Sequence, residues 1–345
     1  MADRRATQMN GWVWCALAAV LFGAATPVTK LLIDDVGSVT LAGLLYVGAA
    51  LALAPFGIIR QRSTPAGSQR SRLALAVVLG GGIAPVLLLL ALDRTPAGTV
   101  SLLLNLELVA TVVVARAFLN EHIGGRTGIG IVIVVLGGVT LAGTSGTAMA
   151  TGALLVGSAC LCWGIDNAIT ASIDAYSPAR ITLIKGLVAG SVNLALGIVL
   201  DGRPDLSVSL IALAIGAVGY GLSITMWITG ARLVGAARGQ AIFALAPFVG
   251  ALLAWPVNGD RLSVTTFIAF ALCLIGVLVV GSAHHRHQHV HERTQHAHPI
   301  DVSDKHHGPD DIEVIGGDLH RHRVVAHEHD HLPDIHHRHG HGHTH

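Results

Sequence analysis

A carboxylate stands in the middle of an apolar run. Residues 102–115 read LLLNLELVATVVVA, and Asn105 and Glu107 are flanked on both sides by side chains that avoid water. If this run crosses a bilayer, Glu107 lies near mid-depth, where a charge costs on the order of 3 kcal/mol on insertion scales. Three arrangements relieve that cost: the carboxyl is protonated, it pairs with a cation, or it faces a wet cavity. A carboxyl on a pathway can release its proton as a cationic solute arrives, which couples movement of the solute to a proton gradient. The bland alternative is a neutral Glu bonded to a neighbouring helix. Asn105 is two residues away and so on a different face of a helix, and the two need not line one cavity.

A second group of polar residues sits in WGIDNAIT (163–170), with Asp166 and Asn167, and in IKGLVAG (184–190), with Lys185. An Asp–Lys pair lowers the cost of burying either charge. The pair reads first as a clamp between two helices and second as a solute contact. Gln240, beside Arg238, opens the apolar run that carries Pro247. Pro27, Pro85 and Pro247 each remove a backbone donor and predict kinks, which a carrier can use as hinges or as openings to the backbone. Lys30 falls at the end of its run, where a long side chain can reach the interface.

Histidine makes the third group. Of 21 histidines only His122 precedes residue 284. The tail carries His284, His285, His287, His289 and His291, then His327, His329 and His331, then His336, His337, His339, His341, His343 and His345. Neutral imidazole suits Zn, Ni and Cu, so the tail is expected to bind such an ion, although no cofactor is required by anything else in the chain. About 20 imidazoles titrating near pH 6.5 also predict a response to acidification. Ten acids and six bases are mixed in, with few large apolar residues, so the tail is expected to be disordered on its own.

These groups need elements to hold them. The chain of 345 residues is 52% hydrophobic and 12% charged, with mean hydropathy +0.62; soluble domains average about 25% charged residues. Ten runs are long enough to span a bilayer: 11–33, 38–59, 73–92, 98–118, 126–144, 151–172, 179–200, 208–230, 236–256 and 263–282. Short polar links force neighbouring spans up and down. Small residues recur, including a G-x-x-x-G at Gly186 and Gly190, as close helix packing in lipid requires. The amino terminus and the even-numbered links hold ten arginines against three in the alternate links, which places both termini in the cytoplasm. Trp12 and Trp14 read as interface anchors. The four cysteines lie in apolar runs and read as packing residues. A net charge of +1 gives no pull toward nucleic acid, and the chain contains no P-loop and no nucleophile–base motif, which argues against an ATP-driven pump and against an enzyme.

Ten spans divide into five and five. Matching LNEHI (119–123) to NGDRL (258–262) gives an offset of 139 residues. Identities at that offset are few, and only the spacing and hydropathy permit a repeat. Five being odd, the halves would be inverted in the membrane.

Several stretches resemble the EamA-type branch of the drug/metabolite transporter superfamily: LFGAATPVTKLL (21–32), LAGLLYVGAALAL (41–53), SLLLNLELVATVVVA (101–115), WGIDNAIT (163–170), IKGLVAGSVNLAL (184–196) and ARGQAIFALAPFVGALLAW (237–255). The resemblance covers about 11–282. It implies an all-α integral membrane carrier of ten helices in two inverted repeats, 11–144 and 151–282, with a cytoplasmic segment 1–10 and the tail 283–345 outside the repeats. It also implies a cavity lined by spans 3, 4, 8 and 9. Where that branch often has proline in span 4, this chain has Leu108, while Pro247 stands in the second half. The expected activity is secondary transport of a small organic solute across the plasma membrane, without ATP and with proton coupling through Glu107. A divalent metal exporter fed by the tail is the alternative. Nothing in the chain sets the oligomeric state.

Overall fold

A computed structural model describes residues 2–57, 67–119, 123–143, 146–171, 173, 176, 178–234, 239, 242–261, 263–282 and, in the tail, 285–291, 295–297, 312–316, 319–322 and 325–331. Among the described residues nine helices are long and apolar enough to cross a bilayer. They are α1 (Asn10–Lys30), α2 (Ser38–Pro55), α3 (Gln69–Arg94), α4 (Ala97–Phe118), α5 (Gly125–Ala142), α6 (Met149–Thr170), α7 (Ala179–Asp201), α8 (Leu206–Gly230) and, in tenth place along the body, α10 (Val264–Gly281). Between the last two lies a shorter apolar helix, α9 (Ala246–Asn258). It starts later than the run 236–256 suggests, and half of the missing start, including Arg238 and Gln240, lies outside the described residues.

Large apolar side chains cover the outside of this body: Val199 is 81% exposed, Val264 77% and Phe118 75%. A water-soluble protein would bury such a surface; lipid accepts it. Inside, small residues bring helices together. A Cβ on Gly186 or Gly190 would meet Tyr46, Val47 and Ala50 of α2, and one on Gly130 or Gly276 would meet the opposite backbone across the α5–α10 contact. The free cysteines Cys15, Cys160 and Cys273 are buried as well.

Two helices are wound irregularly at matching places. α3 runs through a π-helical stretch, Val77–Ile83, and α8 through another, Gly216–Leu222. Both begin and end 139 residues apart. Each is closed by an i→i−5 bond, Ala84 N–H to Leu79 O and Ser223 N–H to Val218 O. The sequence reading contains neither. α4 breaks in a turn at Leu104–Asn105, and a turn at Ala244–Leu245 precedes α9. Glu107 N–H bonds Leu104 O at 3.0 Å and Leu108 N–H bonds Asn105 O at 3.2 Å, so the helix tightens where it restarts.

The proline expectation is corrected by these breaks. Pro85 and Pro247 sit in the first turn of the helical segments Ala84–Arg94 and Ala246–Asn258. Pro247 follows the turn at Ala244–Leu245, where a missing N–H costs little, so it starts a helix rather than interrupting one, whereas Pro85 stands inside α3 where its winding changes from π-helical to α-helical. Pro27 lies inside α1.

The tail, from Ser282 onward, is a separate unit. It departs from the expected absence of regular structure: β1 (His285–His291) pairs antiparallel with β5 (Val325–His331), and β4 (Leu319–His322) pairs with β2 (Gln295–Ala297) and β3 (Ile312–Gly316). HRHQHVH and VAHEHDH alternate with period two, the strand period. His284 and residues 332–345, which together hold seven of the expected metal ligands, lie outside the described residues.

Candidate functional site

The polar residues singled out in the sequence converge where α4, α6 and α7 meet the π-helical stretch of α3. α4 and α6 approach closely because Gly164 has no side chain; a Cβ there would overlap Ala110 and Thr111. That approach puts Asn167 Nδ2 3.0 Å from Glu107 Oε1 and 3.3 Å from Thr111 Oγ1. One turn of α4 thus offers two acceptors to one amide. Glu107 is half-buried and Asn167 exposed.

Lys185 Nζ lies 2.6 Å and 2.7 Å from the two oxygens of Asp166 and 3.3 Å from Thr170 Oγ1. Thr170 in turn donates to Asp166 at 3.0 Å. The pair is nearly buried, with side chains 13% and 6% exposed. It is the clamp between α6 and α7 that the sequence suggests. Asp166 and Lys185 both lie within electrostatic reach of Glu107. Among the described residues Lys185 is engaged with Asp166, and no cation forms an ion pair with Glu107.

The π-helical stretch forms the floor of this cluster. Gly80 lies against the Asp166 carboxyl and Gly81 against Lys185 and Ala189; a Cβ at either position would collide. The wide turn leaves carbonyls free to accept from other helices. Gly80 O accepts from Tyr46 OH at 2.8 Å and Trp163 Nε1 at 3.1 Å, and Gly82 O accepts from Asn193 Nδ2 at 3.1 Å. Tyr46, Trp163, Thr111 and Thr170 are absent from the sequence reading of the site. Trp163 stands in the quoted run WGIDNAIT without being singled out there, and the triplet Gly80–Gly82, which that reading passes over, carries a signal of its own, since three glycines in a span imply a close approach.

The remaining expected residues lie elsewhere. Asn105 is buried and turns back to its own helix, donating to Leu102 O at 2.8 Å, so it caps the break in α4. Pro247 is in the first turn of α9. Lys30 donates to Leu92 O, joining α1 to α3. Near it Asn258 Nδ2 donates to Pro27 O at 3.0 Å, and Gly98 N–H donates to Asp260 Oδ2 at 2.7 Å. These bonds close one end of the body around α1, α3, α4 and α9. Among the described residues no three His, Cys, Asp or Glu side chains gather as metal ligands.

Known proteins resemble this chain in sequence and fold. The EamA-like transporter family matches twice, over residues 9–143 and 150–282. An uncharacterized transporter of Methanothermobacter thermautotrophicus is 25% identical over 293 residues, which are 78% of this chain and 85% of that protein. A permease-like protein of Bacillus subtilis is 35% identical over 66 residues, 19% of this chain and 85% of the relative. A solved crystal structure shares the fold with a TM-score of 0.56 at 18% identity, over 79% of this chain and 95% of its own. With both halves of the helical body matched, this chain belongs to the EamA-like transporter family.

Proposed function

We propose that this protein is a secondary carrier of a small organic solute, working by alternating access and driven by proton exchange at Glu107. The single observation behind it is the division of charge in the site. Lys185 is taken up by Asp166, while Glu107 is half-buried and held by an amide. A carboxyl held that way keeps its anchor in either protonation state, because the Asn167 amide can bond an ionised or a neutral carboxyl. Two inverted halves suit this reading: the π-helical stretches and the helix breaks recur about one repeat apart, and such elements give each half a place to bend. The arginine bias supports a plasma-membrane protein with both termini in the cytoplasm.

Glu107→Gln tests the reading. In proteoliposomes under an imposed pH gradient the variant is expected to fold, with unchanged gel-filtration behaviour and helicity. Proton-driven accumulation of solute should fall by at least about 10-fold, the loss expected when a general acid–base group is removed from a coupled step. Uptake that still follows the pH gradient removes Glu107 from the coupling.

The tail favours a second reading, a divalent metal exporter. Its backbone register sets His285 opposite His331, His287 opposite His329, and His289 opposite His327. On that reading Zn or Ni moves only when residues 283–345 are present, and organic solutes do not move.

A further inference from the structure

The π-helical stretch that floors the polar cluster also forms a wall of a groove on the outside of the body. The groove holds about 390 Å³. α3 supplies one wall, from Val77 to Leu87, and α7 the other, from Val188 to Leu196; Val39 of α2 joins them. Small residues leave the gap between the walls. Ala189 lies against Gly81, and a Cβ on Gly82 would meet only Val77 O, at 3.7 Å. Among the described residues Asn193 is the one polar side chain in the lining, and its amide donates to Gly82 O at 3.1 Å.

Chemistry, access and course decide what fills it. The lining carries no charge among the described residues and spends its amide on a backbone carbonyl, which suits neither an ion nor a polar solute. The rims are exposed: Val78 and Ile83 on α3, and Val188, Val192 and Leu196 on α7. They continue the apolar outer surface, which in a membrane carrier is the interface with the bilayer. From Val188 to Leu196 the groove follows α7 for about 12 Å, against about 15 Å of hydrocarbon in one leaflet. α7 ends five residues later at Asp201, whose carboxyl lies against Gly37 just before α2. The groove thus runs from mid-span toward one polar end. A phospholipid chain takes that same course, from headgroup level to the middle of the bilayer.

We infer that the groove is a site for one acyl chain of a bilayer phospholipid, and that the chain backs the first π-helical stretch. Water does not enter hydrocarbon to fill such a gap, and a gap forfeits the dispersion contacts of its walls. A chain seated in the groove is therefore favoured over one lying on a plain helix face. One side of the stretch, at Gly80 and Gly81, meets Asp166, Lys185 and Ala189. The other side, at Val78, Gly82 and Ile83, meets the chain. In the second half protein takes that place: Gly221, 139 residues after Gly82, lies against Ala49 and Ala52 of α2. Lipid thus supports one π-helical stretch and not the other. The inference goes beyond the carrier reading and needs neither Glu107 nor a known solute.

The test uses the full-length protein in phosphatidylcholine nanodiscs containing a trace of phosphatidylcholine with a diazirine midway along one chain. After photolysis, peptide mass spectrometry should find label over 77–87 and 188–196 at least about 5-fold denser than on the exposed ridge of α5 from Ile129 to Val139, because a chain in the groove is contacted from more than one side. Gly82→Leu and Val192→Trp fill the groove from opposite walls, and each should bring the label there down to the level of α5. If one of them does not fold, the other decides. In detergent, added phosphatidylcholine should slow amide exchange at least about 5-fold over 77–87 and less than about 2-fold over 216–222, since exchange follows local opening. Val192→Trp, which takes the place of the chain, should remove that difference. Label no denser in the groove than on α5 overturns the inference, as does dense label that persists in a folded filled variant, or equal slowing of the two stretches. An unlabelled groove in a protein whose Val192→Cys variant forms a disulfide-linked dimer gives this face to a second copy and also overturns it. Transport enters none of these readouts, so the carrier reading stands or falls separately.

Discussion

Lys185 decides how charge is shared among the buried acids. It holds both oxygens of Asp166 in a nearly dry contact, and removing one partner of such a pair leaves an uncompensated charge, at a cost of about 3–5 kcal/mol. Lys185→Met is therefore expected to lower the free energy of unfolding in mixed micelles by that amount and to reduce expression. Adding Asp166→Asn should recover most of the loss, because the orphaned charge is gone. If the single and double variants are equally unstable, Lys185 matters by packing alone. The sequence disclosed this pair because a single Asp and a single Lys on consecutive spans, near the same end, have few other partners. It did not disclose the Glu107–Asn167 bond, which depends on how closely α4 and α6 approach at Gly164. Nor did it show that Asn105 serves its own helix; a local bond to a carbonyl freed by a helix break is invisible until the break is known.

The π-helical stretches give the elements their function. In the first half Gly80 O and Gly82 O accept bonds from three neighbouring helices. In the second half the residues 139 positions on, Gly219 and Gly221, accept from hydroxyls of their own helix, Ser223 at 2.6 Å and Thr225 at 3.0 Å. The same two carbonyls are satisfied in both halves by different means. The first stretch is thus tied to its neighbours and the second is free of them at these atoms, so we expect the second to move more readily. The glycine triplet supplies a clean test. A methyl on Gly80 would strike the Asp166 carboxyl, whereas one on Gly82 would meet only Val77 O at an ordinary 3.7 Å. Gly80→Ala should destabilise the protein by about 1–3 kcal/mol, the cost of overpacking a tight contact, and should weaken solute binding by displacing Asp166. Gly82→Ala should melt at or slightly above the native temperature, since alanine favours a helix over glycine. Equal melting of the two variants would show that the contact relaxes. From sequence the triplet announces a close approach, but the extra residue that makes a π turn adds no distinctive side chain, which is why the repeat of the two stretches was not legible there.

At the scale of the molecule, composition separates two materials that the structure also separates. Residues 284–345 hold 16 of the 43 acidic and basic side chains and 20 of the 21 histidines, and the body and tail form distinct units divided at Ser282. The membrane body was legible because lipid leaves an unmistakable mark: apolar side chains on the outside and glycine where helices touch. The strand pairing of the tail was not, because alternation of histidine with polar residues has the period of a strand without the apolar face that usually reveals one. A two-stranded ribbon is marginal alone in water, so the β1–β5 pairing should depend on what the histidines bind. If the body owes its stability to lipid-facing and glycine contacts within it, a chain ending at Ser282 should melt within about 1 °C of the full protein and keep its proton-driven solute uptake. The same truncation should remove Zn binding measured by competition with a chromophoric chelator, and in the full chain Zn should slow amide exchange over 285–331 while leaving the spans untouched. Loss of proton-driven solute uptake on truncation would instead make the tail part of the transport machinery, and the carboxylate at mid-membrane would then no longer be sufficient for coupling.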